Sequence, residues 1–546
     1  MSLPSVALCM IVRDEEQRLP GCLDSVAELC AERVVVDTGS RDGTVACAEA
    51  RGARIVEFAW CDDFAAARNA GIRAATSDWV LVLDADERLA PGGEARIAQT
   101  LEGARASCGM LTLHDASSLD ASTIDVLSGR ARLGEPMPLP RLFRRTADLA
   151  FEGIVHESVR AWLVRQGGAT FDTGANIVHY GAVPSLRAER GKQDRNTRLL
   201  ERRLALEPDD FTVHGYLAHE LVAAGEQERA FAVADEGWQL VRRASPATLR
   251  STGRLLAARC LLLFQRGDAD EVLRTVAEAI AFEGETPDAL FFRGRAHEQR
   301  ALRPEPLRTS ELMAADLAYR ACLGWAGRPG SQRFVIGATG HVGQLRLATV
   351  EFLRGDAEAA LTRFEALLAD HPGDIEATLG ACEALVDLGR ADDAAARLEP
   401  LVGHAKTPDV ALVAALIAEA GGRLEALARH LADARARRDL GYVAAHRNAL
   451  HVSLHCAMTA YIGRPQAGPG AVGAACAYLA GQPAHAELDS RDVRALERFV
   501  GALFASGRVE WIEPLLEPTA ERAIPGIGAV VEHVTSALEA KLKERR

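Results

Sequence analysis

The sequence of 546 residues lacks the features that mark membrane and secreted proteins. No run approaches the roughly 18 apolar residues that a membrane-spanning helix needs. The N-terminal apolar run meets charged residues almost at once and has no basic region before it, so it does not resemble a secretory signal. The eleven cysteines are scattered, and no two are spaced as CxxC. We therefore expect neither a disulfide framework nor a zinc site, and we expect a reducing, cytoplasmic location.

The chain also has few aromatic residues and fewer basic than acidic residues. Aromatic residues make up 5% of the chain, and 63 basic residues face 76 acidic ones, which leaves a net charge of -13. This balance argues against a general affinity for nucleic acid. The hydrophobic content of 48% and the charged content of 25% are ordinary for a globular protein. The length predicts roughly two to four domains.

Several catalytic patterns are missing as well. There is no GxSxG, and no cysteine stands beside a histidine and an acid in a recognisable arrangement. The glycines of the TGSRDGT turn, at 38–44, form neither GxGxxG nor a Walker motif. These absences argue against a covalent nucleophile, a dinucleotide site and a P-loop.

The first hundred residues alternate short aliphatic runs with helical patterns. The runs predicted as strands are VALCMIV (6–12), RVVVD (33–37), ARIVEF (53–58) and WVLVLDAD (79–86). Such alternation predicts an α/β domain with a mostly parallel sheet covered by helices, over residues 1–193. Ligands of such sheets bind beyond the carboxyl ends of the strands. Two of the runs carry their acidic residues at that end.

From about residue 194 onward the pattern becomes helical. Runs rich in alanine and leucine are separated by short turns that contain glycine, and Gly355 and Gly389 begin two similar units 389 − 355 = 34 positions apart. This is the period of a tetratricopeptide unit, which consists of two antiparallel helices. We predict an all-α repeat solenoid over 194–435, with an irregular helical bundle as the alternative. Residues 436–546 are predicted to be degenerate repeats or a helical cap.

The fourth predicted strand ends in Asp84-Ala85-Asp86. Two aspartates with this spacing are common on surfaces, but alternate residues of an extended chain point to the same side, so both carboxylates can face one ligand. Buried carboxylates need a partner, and a divalent cation that shares its remaining positions with phosphate oxygens supplies one. The same alternation points Glu87 away, so we predict a structural role for it.

Two further residues are candidates for the same edge of the sheet. Asp37 ends the second predicted strand, where its carboxylate could accept a hydrogen bond from a nucleoside. Arg68 lies on a predicted helix and could reach a phosphate or a base, or could pair with Asp62 or Asp63.

Three segments taken together resemble the N-terminal signature of family 2 glycosyltransferases. They are VALCMIVRDEEQRLPGCLDSV (6–26), ERVVVDTGSRDGT (32–44) and DDFAAARNAGIRAATSDWVLVLDADE (62–87). The similarity is closest to a bacterial branch with C-terminal tetratricopeptide repeats, which includes peptide S-glycosyltransferases of the glycocin type. The resemblance implies a GT-A fold, a nucleotide-sugar donor with a UDP-sugar as the first choice, Mn²⁺ or Mg²⁺, and inversion by direct displacement.

The resemblance also assigns roles to residues. It implies that Asp37 binds the base, that Glu15 contacts the nucleoside, and that Arg68 lies near the base or the phosphates. It further implies that Asp84 lies near the ribose and the metal, and that Asp86 ligates the metal and serves catalysis directly.

A second set of motifs lies downstream and carries the remaining candidates. FEGIVHESV (151–159) and NIVHYG (176–181) resemble later elements of the family. Inverting transfer needs a base that removes the acceptor proton, and Glu157 is the candidate. Its alternative is a structural ion pair with Arg141 or Arg144. His179, or else His156, is a candidate metal ligand, and a buried core histidine is the alternative for each.

These expectations combine into a metal-dependent, inverting glycosyltransferase. The repeats would bind a peptide or protein acceptor, or form a homodimer interface. Two alternatives remain open from the residues: a transferase for cell-surface polysaccharide or lipopolysaccharide core, and a repeat scaffold with an inactive transferase domain.

Overall fold

A computed structural model of the chain describes residues 4–183, 192–245, 251–302, 308–328, 334–335, 337–402, 407–437, 445–468, 470–488, 490–505 and 507–544. The chain divides into two compact units. The first unit comprises Met1–Ala289 with Gly327–Gly337, and the second comprises Leu290–Ala326 with Ala338–Arg546.

The strands of the first unit form one eight-stranded sheet. They are β1 (Val6–Val12), β2 (Glu32–Asp37), β3 (Arg54–Glu57), β4 (Trp79–Val82), β5 (Glu87–Leu89), β6 (Cys108–Ala116), β7 (Arg132–Arg144) and β8 (Thr170–His179). Their spatial order is β3-β2-β1-β4-β7-β6-β8-β5. The pairs within β3-β2-β1-β4 are parallel, as is β6–β8, while β4–β7, β7–β6 and β8–β5 are antiparallel.

Helices cover both faces of this sheet. The helices of the first unit are α1 (Leu19–Asp24), α2 (Thr44–Glu49), α3 (Phe64–Ala74), α4 (Gly93–Leu101), α5 (Thr123–Ser128), α6 (Arg160–Arg165), α7 (Lys192–Leu206), α8 (Phe211–Ala223), α9 (Gln227–Arg243), α10 (Gly253–Gln265) and α11 (Ala269–Glu283). Along β1, Leu8 and Met10 pack into one core with α1 and α4. Ala7 and Cys9 face a second core with α3 and α6. The expected α/β fold is confirmed, with a sheet that is more mixed than the sequence pattern suggested.

The strand that carries the two aspartates is shorter than predicted. All four residues of β4 are buried, but the strand ends at Val82 rather than at Asp86. Ala85 and Asp86 form a turn that leads directly into β5. The expectation that an extended chain aims Asp84 and Asp86 to one side is therefore wrong in its geometry. A turn, not strand alternation, sets the direction of both carboxylates.

The second unit is built from helices. They are α12 (Pro287–Ala301, whose first residues belong to the first unit), α13 (Arg308–Leu323), α14 (His341–Leu353), α15 (Ala357–Asp370), α16 (Ile375–Asp387), α17 (Ala391–Leu398), α18 (Pro408–Ala420), α19 (Leu424–Ala436), α20 (Ala445–Tyr461), α21 (Gly470–Leu479), α22 (Ser490–Ala505), α23 (Pro518–Ala523) and α24 (Ile527–Glu544). The predicted all-α second half is confirmed, while the domain boundaries at 193 and 435 stay predictions.

Glycine-aspartate pairs explain how successive helices are joined. Gly267 and Gly355 have φ angles of 73° and 91°, which glycine adopts without steric cost. The aspartates that follow, Asp268 and Asp356, cap the next helix because their carboxylates accept a backbone N–H from its first turn. One short sequence, Gly-Asp, therefore ends one helix and begins the next.

Within the described part of the chain, no helix is both long enough and apolar enough to cross a membrane.

Candidate functional site

A cavity of about 1260 Å³ lies within the first unit, where β1 and β4 end. Most of the residues that the sequence pointed to line it: Glu15, Arg68, Asp84, Asp86, Glu157 and His179. They come from the segment after β1, from α3, from the turn after β4, from the loop before α6 and from the end of β8. The sheet topology therefore gathers residues that are far apart in sequence.

Asp84 lies between two guanidinium groups. Its Oδ1 accepts a hydrogen bond of 3.0 Å from Arg68 Nη2, and its Oδ2 lies 3.8 Å from Arg141 Nη2. Burial alone would raise the pKa of Asp84, but these two arginines hold it well below its ordinary value. Asp84 is therefore a fixed negative charge that is already neutralised by protein groups.

Glu157 forms an ion pair with Arg68, not with Arg141 or Arg144 as the structural alternative supposed. Arg68 Nε donates to Glu157 Oε1 at 2.6 Å, and the two side chains are only 10% and 11% exposed. The alternative in which Arg68 pairs with Asp62 or Asp63 does not hold, since Asp63 caps α3 and Asp62 pairs with Arg198. Arg68 thus joins the candidate base Glu157 to Asp84, and both carboxylates line the cavity.

Asp86 lies beside His179, and a third residue orients that histidine. His179 Nε2 is 3.7 Å from Asp86 Oδ1, and Nδ1 is 2.6 Å from Asp115 Oδ1. When Nδ1–H donates to Asp115, Nε2 is the nitrogen that faces Asp86. Burial lowers the pKa of His179, but the carboxylates of Asp115, Asp86 and Glu87 raise it more, so the net shift is upward. A histidine oriented by a carboxylate is the usual arrangement of a metal ligand.

The space beside Asp86 and His179 fits a cation. A β-carbon on Gly181 would collide with Asp86 Oδ2 and His179 Nε2, so glycine keeps that space open. The described residues hold no ready cluster of three or more histidine, cysteine or acidic ligands. Two protein ligands suit Mg²⁺ or Mn²⁺, which take their remaining ligands from water and from substrate phosphates.

Glu87 has the structural role that was predicted for it. Its side chain is 2% exposed and forms an ion pair with Arg141. It also accepts the backbone N–H of Asp84 at 3.0 Å, and burial raises its pKa to about 7. Glu87 therefore holds the turn that presents Asp84.

Glu15 lines the cavity, whereas Asp37 is not among its lining residues. The side chain of Glu15 is 13% exposed and accepts a hydrogen bond from Arg18 at 3.3 Å. Asp37 ends β2, and its carboxylate accepts the backbone N–H groups of Gly39 and Ser40 at 3.1 and 3.2 Å. A carboxylate has about four acceptor positions, so Asp37 can still accept from a ligand.

The two histidine candidates are separated by the structure. His179 is beside Asp86, whereas the ring of His156 stacks on Tyr216 with centroids 4.0 Å apart. The sequence pattern missed Asp115 and Tyr216. No local motif marks either residue, because β6–β8 pairing places Asp115 opposite His179 and a helix far downstream supplies Tyr216.

Comparison with known proteins adds independent findings. Residues 7–146 match the family model described as glycosyl transferase family 2, and residues 351–420 match a tetratricopeptide repeat model. A TPR repeat-containing protein of Synechococcus elongatus is 37% identical over 238 residues, which cover 42% of this chain and 55% of that protein. The SPbeta prophage-derived glycosyltransferase SunS of Bacillus subtilis is 27% identical over 229 residues, which cover 42% of this chain and 51% of that protein.

The chain thus spans about half the length of the curated relatives it matches. Among solved structures, glucosyl-3-phosphoglycerate synthase from Mycobacterium tuberculosis, in complex with Mn²⁺ and UDP, has a TM-score of 0.26 and 17% identity, covering 37% of this chain and 80% of that chain. From the family models, the chain carries a family 2 glycosyl transferase domain in its N-terminal part and tetratricopeptide repeats in its C-terminal half.

Proposed function

We propose that this protein is an inverting, metal-dependent glycosyltransferase that moves a sugar from a nucleotide-sugar donor, with a UDP-sugar as the first candidate, to a peptide or protein acceptor. One observation carries the proposal. The ion-paired residues Asp84, Arg68 and Glu157 line the same cavity as the pair Asp86 and His179. A charged site of this kind suits a substrate that brings its own phosphates and cation.

Asp86 and His179 would hold the cation, and Asp115 orients the imidazole. When bound, Mn²⁺ or Mg²⁺ offsets the negative charge that develops on the departing diphosphate. Arg68 Nη1 and Arg141 Nε are buried without a hydrogen-bond partner among the described residues. Both arginines line the cavity. Buried donors are costly to leave unpaired, and an anionic ligand would supply acceptors for these N–H groups.

Asp84, Glu15 and Asp37 are assigned to the nucleoside part of the donor. Asp84 is already neutralised by Arg68 and Arg141, so it suits hydrogen bonding to ribose hydroxyls better than direct ligation of a dication. Glu15 lies on the cavity wall after β1, and Asp37 lies at the neighbouring end of β2. These assignments keep Asp84 near the metal as predicted, with Asp86 as the direct ligand.

Glu157 is the proposed base. Its ion pair with Arg68 fixes the orientation of the carboxylate, which takes the proton of the acceptor as the sugar transfers. Direct displacement then inverts the configuration at the anomeric carbon.

The acceptor side of the cavity is supplied by helices that follow the sheet. Thr212 and Tyr216 on α8 and Arg254 and Leu255 on α10 line the same cavity as Glu157. These helices fall within the predicted repeat region 194–435, and their position beside the proposed base supports a polypeptide acceptor. The eleven free cysteines fit a reducing compartment, so we keep the cytoplasm as the proposed location.

A transfer assay tests this proposal. The purified protein is incubated with Mn²⁺ and a panel of UDP-sugars, and release of UDP is measured with and without a chelator. We expect one donor to be hydrolysed or transferred, with activity lost in Asp86→Asn and in Glu157→Gln. Asp120→Asn, an exposed carboxylate in the same unit, is the control that should retain activity. UDP release that is equal in wild type and Asp86→Asn would contradict the proposal and favour the scaffold alternative.

A further inference from the structure

The cavity extends beyond the candidate catalytic residues into a region that no role above explains. We call it the aromatic lobe and define it by His156, Tyr216, Arg254 and Phe334, all of which line the cavity and belong to the first unit. His156 directly precedes Glu157 in the chain. The aromatic lobe therefore adjoins the proposed base.

Arg254 is the charged residue of the lobe, and it contacts two aromatic rings. Its guanidinium carbon lies 4.8 Å from the ring centroid of Tyr216 and 4.9 Å from that of Phe334. Among the residues that the structure describes, no carboxylate pairs with Arg254, and its buried Nε has no hydrogen-bond partner. Stacking on rings leaves the in-plane N–H groups of a guanidinium free for a planar acceptor.

Two other arginines, Arg259 within α10 and Arg266 directly after it, are neutralised. Arg259 pairs with Asp235 at 2.6 Å and with Glu271 at 3.0 Å, and Arg266 pairs with Glu228 at 2.8 Å. Arg254 thus differs from them, because it lines the cavity and no acid in the described part of the chain pairs with it.

The acids near the lobe have other partners. Glu283 accepts both the backbone N–H and the hydroxyl of Thr252. Asp288 accepts the backbone N–H groups of Phe334 and Val335 at 2.9 and 2.8 Å. These contacts fix the segments that carry Arg254 and Phe334. None of them neutralises the guanidinium of Arg254, so that charge is available to pair with a ligand.

His156 is held in the lobe by specific contacts. Its φ angle is 50°, a left-handed conformation that is uncommon outside glycine. Arg203 donates to the carbonyl oxygens of Val155 and His156 at 2.6 and 3.1 Å, and glycine at position 153 leaves room for that guanidinium. Burial, together with the charges of Arg254 and Arg203, lowers the pKa of His156 to about 3. The imidazole is therefore neutral, and its buried Nε2 lacks a partner among described groups.

We propose that the aromatic lobe binds a carboxylate side chain of the acceptor polypeptide, so that Arg254 selects acceptors with an aspartate or glutamate close to the modified residue. Arg254 provides two parallel N–H groups to the carboxylate, and the rings of Tyr216 and Phe334 hold the guanidinium in place. The inference rests on the proposed function, since it names the acceptor chemistry of the same cavity.

Peptide binding tests this inference without a known acceptor. Two pools of fluorescein-labelled peptides share a central serine, threonine or cysteine. One pool carries aspartate and glutamate at the flanking positions, and the matched pool carries asparagine and glutamine. Fluorescence anisotropy against the full chain gives the apparent Kd of each pool. We expect the acidic pool to bind roughly tenfold or more tightly, because a charge-assisted pair contributes about that much.

Variants of Arg254 connect the preference to the lobe. Arg254→Met should remove the preference for the acidic pool, and Arg254→Lys should restore only part of it because lysine lacks the planar fork. Arg266→Met is the matched control, since Arg266 also stacks on a ring, 3.6 Å from Phe231, but outside the cavity lining. Circular dichroism and the melting temperature verify that each variant is folded.

The outcomes separate this inference from the proposed function. UDP binding with Mn²⁺, measured by calorimetry in the same variants, should be equal in wild type and Arg254→Met. Loss of UDP affinity in Arg254→Met would place this arginine in the donor site and overturn the inference. Equal binding of both pools, or a preference that survives Arg254→Met, would also overturn it. If the preference for the acidic pool depends on Arg254 but the protein releases no UDP in the transfer assay, the carboxylate-binding role of the lobe is supported and the transferase proposal fails.

Discussion

Removing Arg68 should destabilise the first unit, because this side chain neutralises two carboxylates at once. Arg68 is 10% exposed and contacts Asp84 at 3.0 Å and Glu157 at 2.6 Å. Breaking a buried ion pair by deleting one partner costs about 3–5 kcal/mol, mainly because a buried charge is left uncompensated.

The expected loss lies at the lower end of that range. In Arg68→Met, Asp84 keeps Arg141 at 3.8 Å and is 37% exposed, so water and a second arginine still stabilise it. Glu157 is 11% exposed, and Arg68 is its only ion-pair partner among the residues that the structure describes. The uncompensated charge is therefore mostly that of Glu157, and we expect a loss of about 3 kcal/mol in the free energy of unfolding.

Urea unfolding followed by tryptophan fluorescence measures this loss. The double variant Arg68→Met with Glu157→Gln should recover about 1 kcal/mol or more, because it removes the stranded charge. Arg165→Met is the control, since it breaks the exposed pair of Arg165 and Asp148, which should cost less than about 1 kcal/mol. A loss below about 1 kcal/mol in Arg68→Met, or no recovery in the double variant, would refute the account of this ion-pair network.

Three further predictions concern the metal and acceptor sides of the cavity. Asp115→Ala should weaken Mn²⁺ binding roughly 10–100-fold by freeing the ring of His179, as calorimetry in the presence of UDP would show; unchanged affinity would contradict the orienting role. Gly181→Ala should abolish Mn²⁺-dependent UDP binding in a folded protein because the new β-carbon collides with Asp86 and His179; retained binding would rule out the space beside them as the cation site. The pKa of His156 is lower in the folded state than in the unfolded state. As the pH drops below about 6.5, the unfolded state therefore binds a proton that the folded state does not, and the free energy of unfolding falls. His156→Asn, which tolerates the left-handed backbone, should lose about 1.4 kcal/mol less than wild type between pH 7.5 and 5.5 in urea titrations, and equal losses would contradict a buried neutral imidazole.

The parallel half of the sheet was predictable, whereas the antiparallel half was not. The runs at 6–12 and 79–82 are continuous and aliphatic because both faces of those strands are buried. β7 reads RLGEPMPLPRLFR, and its prolines argue against a strand inside a sheet. It nevertheless pairs with both β4 and β6, with a register shift between Gly109 and Met110 on β6 where Pro140 pairs.

The candidate site was predictable only where chemistry is concentrated locally. Asp84 and Asp86 stand out because two carboxylates follow a buried strand, and the cavity does form there. Asp115 has no such signal, since strand pairing alone brings it to His179, 64 positions away. The structural alternative for Glu157 paired it with Arg141 or Arg144, but the fold brings Arg68, 89 positions away, into contact with it.

The central claim is that Asp86 and His179 bind a cation together with a nucleotide diphosphate. Isothermal titration calorimetry of UDP, in the presence of Mn²⁺ and again with a chelator, tests it most directly in wild type and in Asp86→Asn. We predict that wild type binds UDP only with Mn²⁺ and that Asp86→Asn loses this metal dependence while its melting temperature in the absence of ligand is retained. Equal UDP affinity with and without Mn²⁺ in wild type, or unaltered metal-dependent binding in Asp86→Asn, would contradict the claim.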